Sequence, residues 1–250
     1  MFVGIDAGSR ATKLIGINSE GHVVCRAQVD QSVKPAETAR TLLAQTLQNL
    51  SMTRCVSTGY ARHLLPFADR AVTEITCHAR GCMALYPDAE AILEIGGQDS
   101  KYIAVQGGRV ADFMMNDRCA AGTGRFLETA AMRLALPLTE MAMPVQQGVV
   151  VSISSMCVVF AETEIIGLVS NNAAPIEIMR GVQHAIAQRV IAMMGERKKT
   201  CARVIFTGGV AQVPGMRAAI EAALGHSVLV PEFPQYTGAL GAALMARDLT

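Results

Sequence analysis

The chain has 250 residues and a formal net charge of +1 at pH 7, from 22 basic and 21 acidic side chains. Because neither sign forms long runs, the composition argues against a nucleic-acid-binding surface and a basic membrane-binding segment. Although 51% of the residues are apolar, no apolar run approaches the length of a membrane span, and Asp6 precedes any signal-peptide core. Seven cysteines, an odd number without a CxxC pair, indicate a reducing compartment. We therefore expect a soluble cytoplasmic protein.

The first predicted element, residues 2–17, is a strand, a tight turn and a second strand. Apolar runs flank a Gly-Ser turn, and Asp6 closes the first run. The turn offers backbone amides and the Ser9 and Thr12 hydroxyls to an anion, and Asp6 is suited to hold a hydrated Mg²⁺. Such a hairpin also occurs as a simple turn, so this motif alone leaves both interpretations open.

The same pattern returns at residues 91–105, where Gly96-Gly97-Gln98-Asp99 separates two apolar runs. Before it, the pattern predicts a strand at 23–29 and helices at 36–50 and 72–85. The recurrence indicates an internal duplication. Two such hairpins facing each other would grip a polyphosphate, with Asp6 and Asp99 near the metal and Gln98 placed to orient a water. We therefore expect a nucleotide cleft between two domains.

Two cysteines occupy positions where helices are predicted to begin. Cys119 lies on a small-residue loop before the helical periodicity that follows Gly124, and Cys157 precedes a segment predicted to be helical from Ala161. A helix N-terminus stabilises negative charge on a sulfur or on a group that the sulfur holds. Two thiolates from each of two copies would complete a tetrathiolate cluster on a twofold axis. The alternative is that both cysteines are small buried apolar residues.

The last third of the chain contains a predicted helix at 174–194, a buried strand at 202–207 and helices at 214–224 and 236–245. The buried strand ends in Thr207-Gly208-Gly209, where the absence of side chains lets the backbone approach a ligand. These segments complete an α/β pattern.

Four motifs carry a resemblance to a known family. They are Glu94–Lys101 (EIGGQDSK), Asn116–Leu127 (NDRCAAGTGRFL), Cys157–Glu162 (CVVFAE) and Thr207–Gln212 (TGGVAQ). With the two hairpins, the chain resembles the actin, Hsp70 and sugar-kinase superfamily of ATPases. Within it, the chain is similar to the 2-hydroxyacyl-CoA dehydratase activators and to related components of benzoyl-CoA reductase.

The resemblance implies an actin-like, duplicated ribonuclease H-like α/β fold. Its subdomains would span residues 1–90 and 91–235, with a C-terminal helix at 236–250 returning to the first. It further implies a homodimer that holds one [4Fe-4S] cluster and uses ATP turnover to drive a low-potential electron into a partner iron–sulfur dehydratase or reductase. Reduced ferredoxin or flavodoxin would be the electron donor.

The resemblance also implies roles for individual residues. The cluster ligands would be Cys119 and Cys157. The catalytic set would be Asp6, Gln98 and Asp99, acting with Mg²⁺. ATP or ADP would contact Ser9, Arg10, Ala11, Thr12, Lys13, Gly96, Gly97, Gln98, Asp99, Gly208, Gly209, Gln212 and Gln235.

Two other classes of function remain open from the residues. A small-molecule kinase would use the same cleft, but it needs a catalytic base, and no acid other than Asp99 is clearly placed for that role. A non-redox regulator would bind ATP without a cluster. Anaerobically purified protein would be brown only if it is an activator of the kind described above, because neither a kinase nor a regulator has iron–sulfur absorption.

Arg10 and Val213 are the positions where the chain departs from its family, which usually has Thr and Asn there. A guanidinium in a phosphate hairpin can either grip phosphate oxygens through paired hydrogen bonds or turn out to solvent, and we expect the first. We therefore expect Arg10→Thr to weaken ADP binding in a calorimetric titration, with steady-state turnover equal or faster where product release limits it. An unchanged dissociation constant would mean that Arg10 points away from the nucleotide.

Overall fold

The computed structural model describes residues 1–48, 50–140, 151–154 and 157–249. The described residues form nine strands and seven α-helices, with short 3-10 helices between some of them. The strands are β1 (Phe2–Ala7), β2 (Ala11–Ile17), β3 (Val23–Asp30), β4 (Arg54–Thr58), β5 (Arg70–Ala71), β6 (Ala91–Ile95), β7 (Ser100–Gln106), β8 (Arg109–Asn116) and β9 (Val204–Thr207). The helices are α1 (Pro35–Leu47), α2 (Glu74–Leu85), α3 (Gly124–Leu134), α4 (Val158–Ser170), α5 (Pro175–Ala192), α6 (Met216–Leu224) and α7 (Thr237–Arg247).

The chain forms two compact units. The first contains Met1–Ala89, Val105–Ala111 and Gln235–Thr250, and the second contains Glu90–Ala104 and Asp112–Pro234. Each unit has its own apolar core. In the second unit the core packs strands β6 and β9 against α3 and α5, and Phe126 and Phe206 are among its fully buried side chains.

The first sheet has the strand order β3-β2-β1-β4-β5. Strand β1 pairs antiparallel with β2 and parallel with β4. Most residues of β1, β2 and β4 are buried, as expected for central strands covered on both faces. The turn between β1 and β2 therefore leaves the sheet at a fixed position, next to the carboxyl end of β4.

The second sheet repeats this arrangement in the order β8-β7-β6-β9. Strand β6 pairs antiparallel with β7 and parallel with β9, just as β1 pairs with β2 and β4. Leu229 forms a parallel bridge to Ile205 of β9, as β5 lies beside β4 in the first sheet. The predicted duplication is confirmed, and it extends beyond the hairpins to whole sheets.

The prediction and the structure differ at several elements, and three of the differences have a clear physical reason. Strand β8 was not predicted, because it is an edge strand whose residues are almost all exposed and carry no alternating pattern. Helix α4 begins at Val158, three residues before the predicted start, because the Ala161 amide already bonds to the Cys157 carbonyl. Helix α2 begins at Glu74, because the Thr73 hydroxyl accepts a hydrogen bond from the Thr76 amide and caps the helix.

In the described part of the chain, none of the helices combines the length and apolar character that a membrane crossing requires.

Helix α7 packs unusually close to β1 and α2, within the first unit. A Cβ on Gly241 would overlap the carbonyl oxygen of Cys77 in α2, and a Cβ on Gly4 would overlap the carbonyl oxygen of Ala239. Small residues on α7 therefore let three backbones approach within contact distance. This packing holds the C-terminal helix against the strand that precedes the first phosphate-type turn.

We expect Gly241→Ala to lower the free energy of unfolding by about 3 kcal/mol, because the added methyl group has no space and two backbones must separate. Gly167→Ala is the matched control. Gly167 lies inside α4 with open space where a Cβ would be, so the same change there should raise stability by about 0.5–1 kcal/mol through helix propensity. Urea denaturation measures both, and equal effects would contradict the packing argument.

Candidate phosphate loops and cysteine segments

The first candidate phosphate loop follows β1. Asp6 lies opposite Lys13 in the β1–β2 ladder, and the Lys13 Nζ lies 3.3 Å from the Asp6 Oδ2. The Gly8 amide donates to the Ala11 carbonyl and closes the turn. Both charged side chains are mostly buried, with 8% of Asp6 and 16% of Lys13 exposed. The loop therefore presents one carboxylate and one ammonium beside a tight turn, as phosphate and Mg²⁺ binding require.

The remaining predicted residues of this loop differ in exposure. Arg10 is exposed and Ser9 is partly buried. Thr12 is fully buried, and its hydroxyl donates a hydrogen bond to the Gln31 side-chain oxygen. The Thr12 hydroxyl therefore already has a partner in the protein.

The second candidate loop follows β6 and contains a buried ion triad. The Lys101 Nζ lies 2.8 Å from the Glu94 Oε2 and 2.7 Å from the Asp99 Oδ2. Only 2% of the Lys101 side chain is exposed, against 6% of Glu94 and 23% of Asp99. Lys101 thus pairs with two carboxylates at once, and Asp99 is the one nearer to solvent. Gln98 is exposed at the tip of the turn.

The two loops are equivalent residue by residue. Glu94 pairs with Lys101 across the β6–β7 ladder as Asp6 pairs with Lys13, and both members lie 88 positions after their counterparts. The Gly96 amide donates to the Asp99 carbonyl, as Gly8 donates to Ala11.

The sequence analysis placed both Asp6 and Asp99 near the metal, but the two residues do not occupy equivalent positions in the two hairpins. The counterpart of Asp6 is Glu94, whereas Asp99 is an additional acid at the position of Ala11. Sequence reasoning had therefore missed Glu94 and Lys101 as members of the site. The constant 88-residue spacing of the acid and the lysine was the signal that would have found them.

The third predicted segment lies after β9. Gly208 has a φ of +91°, and a Cβ there would lie 2.7 Å from the Glu94 Oε1, so the chain passes directly over the ion triad. The Gly208 amide and the Thr207 hydroxyl both donate to the Pro234 carbonyl. Gly209 and Gln212 are exposed at either end of a 3-10 helix. Gln235 follows Pro234, and its side-chain oxygen is buried without a partner among the described residues.

Cys119 is exposed and precedes a short 3-10 helix, Ala120–Gly122, rather than α3 itself. The expectation that unpaired amides at the start of α3 face this thiol is wrong. The Gly124 and Arg125 amides donate to the Gly96 and Gly97 carbonyls, so the start of α3 is bonded to the second loop. The helix begins at Gly124 because the Thr123 side chain caps it.

Cys157 is also exposed, and it occupies the N-cap position of α4. The first-turn amides of a helix have no partner within it, so they favour negative charge at this position. Arg133 of α3 and Glu162 of α4 form an ion pair that joins the two cysteine-bearing segments.

The other five cysteines differ from these two. Burial raises the pKa of the Cys55 and Cys77 thiols to about 12 and also raises the pKa of Cys25 and Cys201, while Cys82 is buried. Among the described residues, no group of three or more His, Cys, Asp or Glu side chains is arranged to hold a metal ion. Cys119 and Cys157 are therefore the two exposed thiols of the chain.

Lys101→Met should lower the free energy of unfolding by roughly 3–5 kcal/mol, because it leaves two carboxylates close together in a buried site without a counter-charge. Lys13→Met is the matched control and should cost less, because Lys13 faces one carboxylate at a longer distance and is more exposed. Urea denaturation compares them. Adding Glu94→Gln to Lys101→Met should recover part of the loss, and a cost at Lys101 no greater than at Lys13 would contradict the triad.

Known proteins are similar to this chain over almost its whole length. The model of the BadF/BadG/BcrA/BcrD ATPase family matches residues 3–246. The (R)-2-hydroxyglutaryl-CoA dehydratase activating ATPase of Acidaminococcus fermentans is 38% identical over 251 residues, covering 98% of this chain and 96% of that protein.

Two solved structures are similar to the present one. Component A of the (R)-2-hydroxyglutaryl-CoA dehydratase from Acidaminococcus fermentans has a TM-score of 0.91 and 37% identity, covering 99% of this chain and 97% of that chain. The activator of the 2-hydroxyisocaproyl-CoA dehydratase from Clostridium difficile, with bound ADPNP, has a TM-score of 0.89 and 36% identity, covering 99% and 95%. The predicted actin-like ATPase fold is thereby confirmed, and the chain belongs to the BadF/BadG/BcrA/BcrD ATPase family.

Proposed function

We propose that this protein is an ATP-dependent activator that passes a low-potential electron to a partner iron–sulfur dehydratase or reductase. The single observation that carries the proposal is the pair of exposed thiols, Cys119 and Cys157. Both lie in the same unit as the second candidate phosphate loop. The relatives named above as dehydratase activators support the same reading. A reduced ferredoxin or flavodoxin in the cytoplasm would be the donor.

The nucleotide is proposed to bind at the two candidate loops with Mg²⁺. Asp6 and Asp99 organise the metal, and Gln98 orients the attacking water. Glycine-rich turns of this kind can present backbone amides to phosphate groups, and Lys13 and Lys101 lie beside the acids. The buried, unpartnered oxygen of Gln235 would accept a hydrogen bond from the base. The solved relative with bound ADPNP supports a nucleotide of this type.

Cys119 and Cys157 are proposed to hold a [4Fe-4S] cluster together with the same residues of a second copy. The donor set fits, because iron–sulfur clusters are bound by four thiolates and each chain exposes two. When bound, the cluster supplies one-electron chemistry at low potential. The start of α4 contributes positive charge at Cys157, which favours the reduced, more negative state.

The homodimer is supported by apolar side chains around the cysteines. Helix α4 exposes 69% of Val159 and 71% of Phe160 directly after Cys157, and α3 exposes 69% of Met132. Exposed apolar groups of this size commonly mark protein contacts. A second copy placed to share the cluster would cover the residues next to Cys157.

A small-molecule kinase would use the same candidate loops, but it gives no role to two exposed cysteines on adjoining segments. A regulator that binds ATP without redox activity has the same weakness. Anaerobically purified protein that is colourless and phosphorylates a small molecule would favour the kinase.

Cys119→Ser and Cys157→Ser should each abolish iron binding, because a serine oxygen is a poor substitute for a thiolate in a tetrathiolate site. ADP affinity should stay within about twofold, since neither thiol is among the proposed nucleotide contacts. Iron per dimer after anaerobic purification and calorimetric titration of ADP measure the two effects. Cys201→Ser is the matched control and should keep its iron. Near-normal iron in either exposed-cysteine variant would remove that residue from the ligand set.

A further inference from the structure

The second candidate phosphate loop is joined to the Cys119 segment by two short backbone hydrogen bonds. The Gly124 amide donates to the Gly96 carbonyl at 2.9 Å, and the Arg125 amide donates to the Gly97 carbonyl at 2.8 Å. These amides belong to the first turn of α3, where a helix has no internal acceptor for them. The loop therefore caps the helix that follows the cysteine.

Gly124 is required for this close approach. A Cβ at this position would lie 3.1 Å from the Gly96 carbonyl oxygen and 3.1 Å from the Val210 Cγ2. Both distances are tighter than most real Cβ contacts, so a side chain here requires the loop or Val210 to shift by a few tenths of an ångström. The Arg125 amide also lies 3.2 Å from the Thr123 hydroxyl, but both bonds to the loop run from backbone to backbone, so a shift of the loop carbonyls acts on the start of α3 directly.

Asn116 fastens Cys119 at the other end of the same segment. The Asn116 Nδ2 donates to the Cys119 carbonyl at 2.8 Å, and the Cys119 amide donates to the Asn116 Oδ1 at 3.1 Å. The same Nδ2 lies 3.5 Å from the hydroxyl oxygen of Ser100, the residue after Asp99. One side chain thus fixes the backbone of Cys119 from both sides and reaches the candidate loop.

Cys157 is held differently. The Ser154 amide and hydroxyl both donate to the Glu164 Oε1 at 2.9 Å, so this segment is tied to its own helix α4. These two hydrogen bonds connect Ser154 to α4 and not to residues 96–100. The segment that carries Cys119 is thus hydrogen-bonded to the candidate nucleotide loop, whereas these bonds tie the segment before Cys157 to α4.

We propose that Asn116 and Gly124 are positioning residues that make the Cys119 thiol, and not Cys157, respond directly to a nucleotide phosphate on residues 96–100. The inference rests on the proposed function only in taking this loop as a nucleotide contact. A phosphate that draws the Gly96–Gly97 backbone toward itself moves the acceptors of the α3 amides. The start of α3 then moves with these acceptors. Because Asn116 is bonded both to the Cys119 backbone and to Ser100, the turn that contains Cys119 moves as well.

The test measures thiol reactivity in the iron-free, full-length chain. Iodoacetamide labelling of Cys119 and Cys157 is followed by peptide mass spectrometry, with and without saturating Mg-ADPNP. We expect nucleotide to change the labelling rate of Cys119 by about fivefold, at the lower end of coupling between two sites, and that of Cys157 by less than about twofold. Asn116→Asp keeps the acceptor for the Cys119 amide but loses the Nδ2 donor, and should reduce the Cys119 response below about twofold.

Gly124→Ala tests the backbone junction independently and should weaken the response in the same way. Ser154→Ala is the matched control, because it removes a hydroxyl from the other cysteine segment, and it should keep the wild-type response. Calorimetry confirms that each variant still binds ADPNP. Equal responses at both cysteines, no response at saturation, or a wild-type response in both Asn116→Asp and Gly124→Ala would overturn the proposal. If the native protein contains no iron, the proposed cluster is refuted. The labelling result would still stand, because it is measured on the iron-free chain.

Discussion

The buried ammonium of Lys101 is the interaction on which the second half of the molecule depends. Two carboxylates that share a buried site repel each other and lose hydration, so a buried cation beside both of them is needed to hold them together. Lys101 supplies that cation from the neighbouring strand, at a register position fixed by the β6–β7 ladder. Gly208 closes over Glu94 from β9, and the Gly96–Gly97 carbonyls cap α3. The ion pairs of Lys101 thus hold the loop in place, and the loop in turn is hydrogen-bonded to α3, which follows the cysteine segment.

The two duplicated sheets differ mainly in one connection between their strands. In the first unit, the described residues of the connection from β3 to β4 form one helix, α1. The equivalent connection in the second unit, from β8 to β9, contains α3, α4, α5 and both exposed cysteines. The paired acid and lysine are retained in both copies. The redox part of the proposed function therefore lies entirely in an insertion at one topological position, and the sheets on either side of it keep their strand order.

Much of the fold followed from the sequence, because the buried strands are continuous apolar runs and the turns between them contain glycine beside an acid. Strand β8 did not, since an exposed edge strand has no amphipathic pattern to read. The predicted site residues come from local motifs. A motif shows which side chains a loop contains, but it does not show which residues face each other across neighbouring strands. Glu94 and Lys101 face each other only through strand register. The bonding of α3 to the Gly96–Gly97 carbonyls is likewise a tertiary contact, and no periodicity encodes it.

The close packing of α7 against β1 has a consequence for the order in which the chain folds. Ile15 and Ile17 of β2 are buried by Ala239, Ala243 and Leu244, more than two hundred positions later. Closing so long a loop has an entropic cost that local contacts do not have, and such contacts slow folding. During synthesis the second unit, which is continuous except for a short hairpin, has all its residues before α7 emerges. The first unit therefore begins before the second and is completed after it, and its apolar sheet face stays uncovered until α7 has been synthesised.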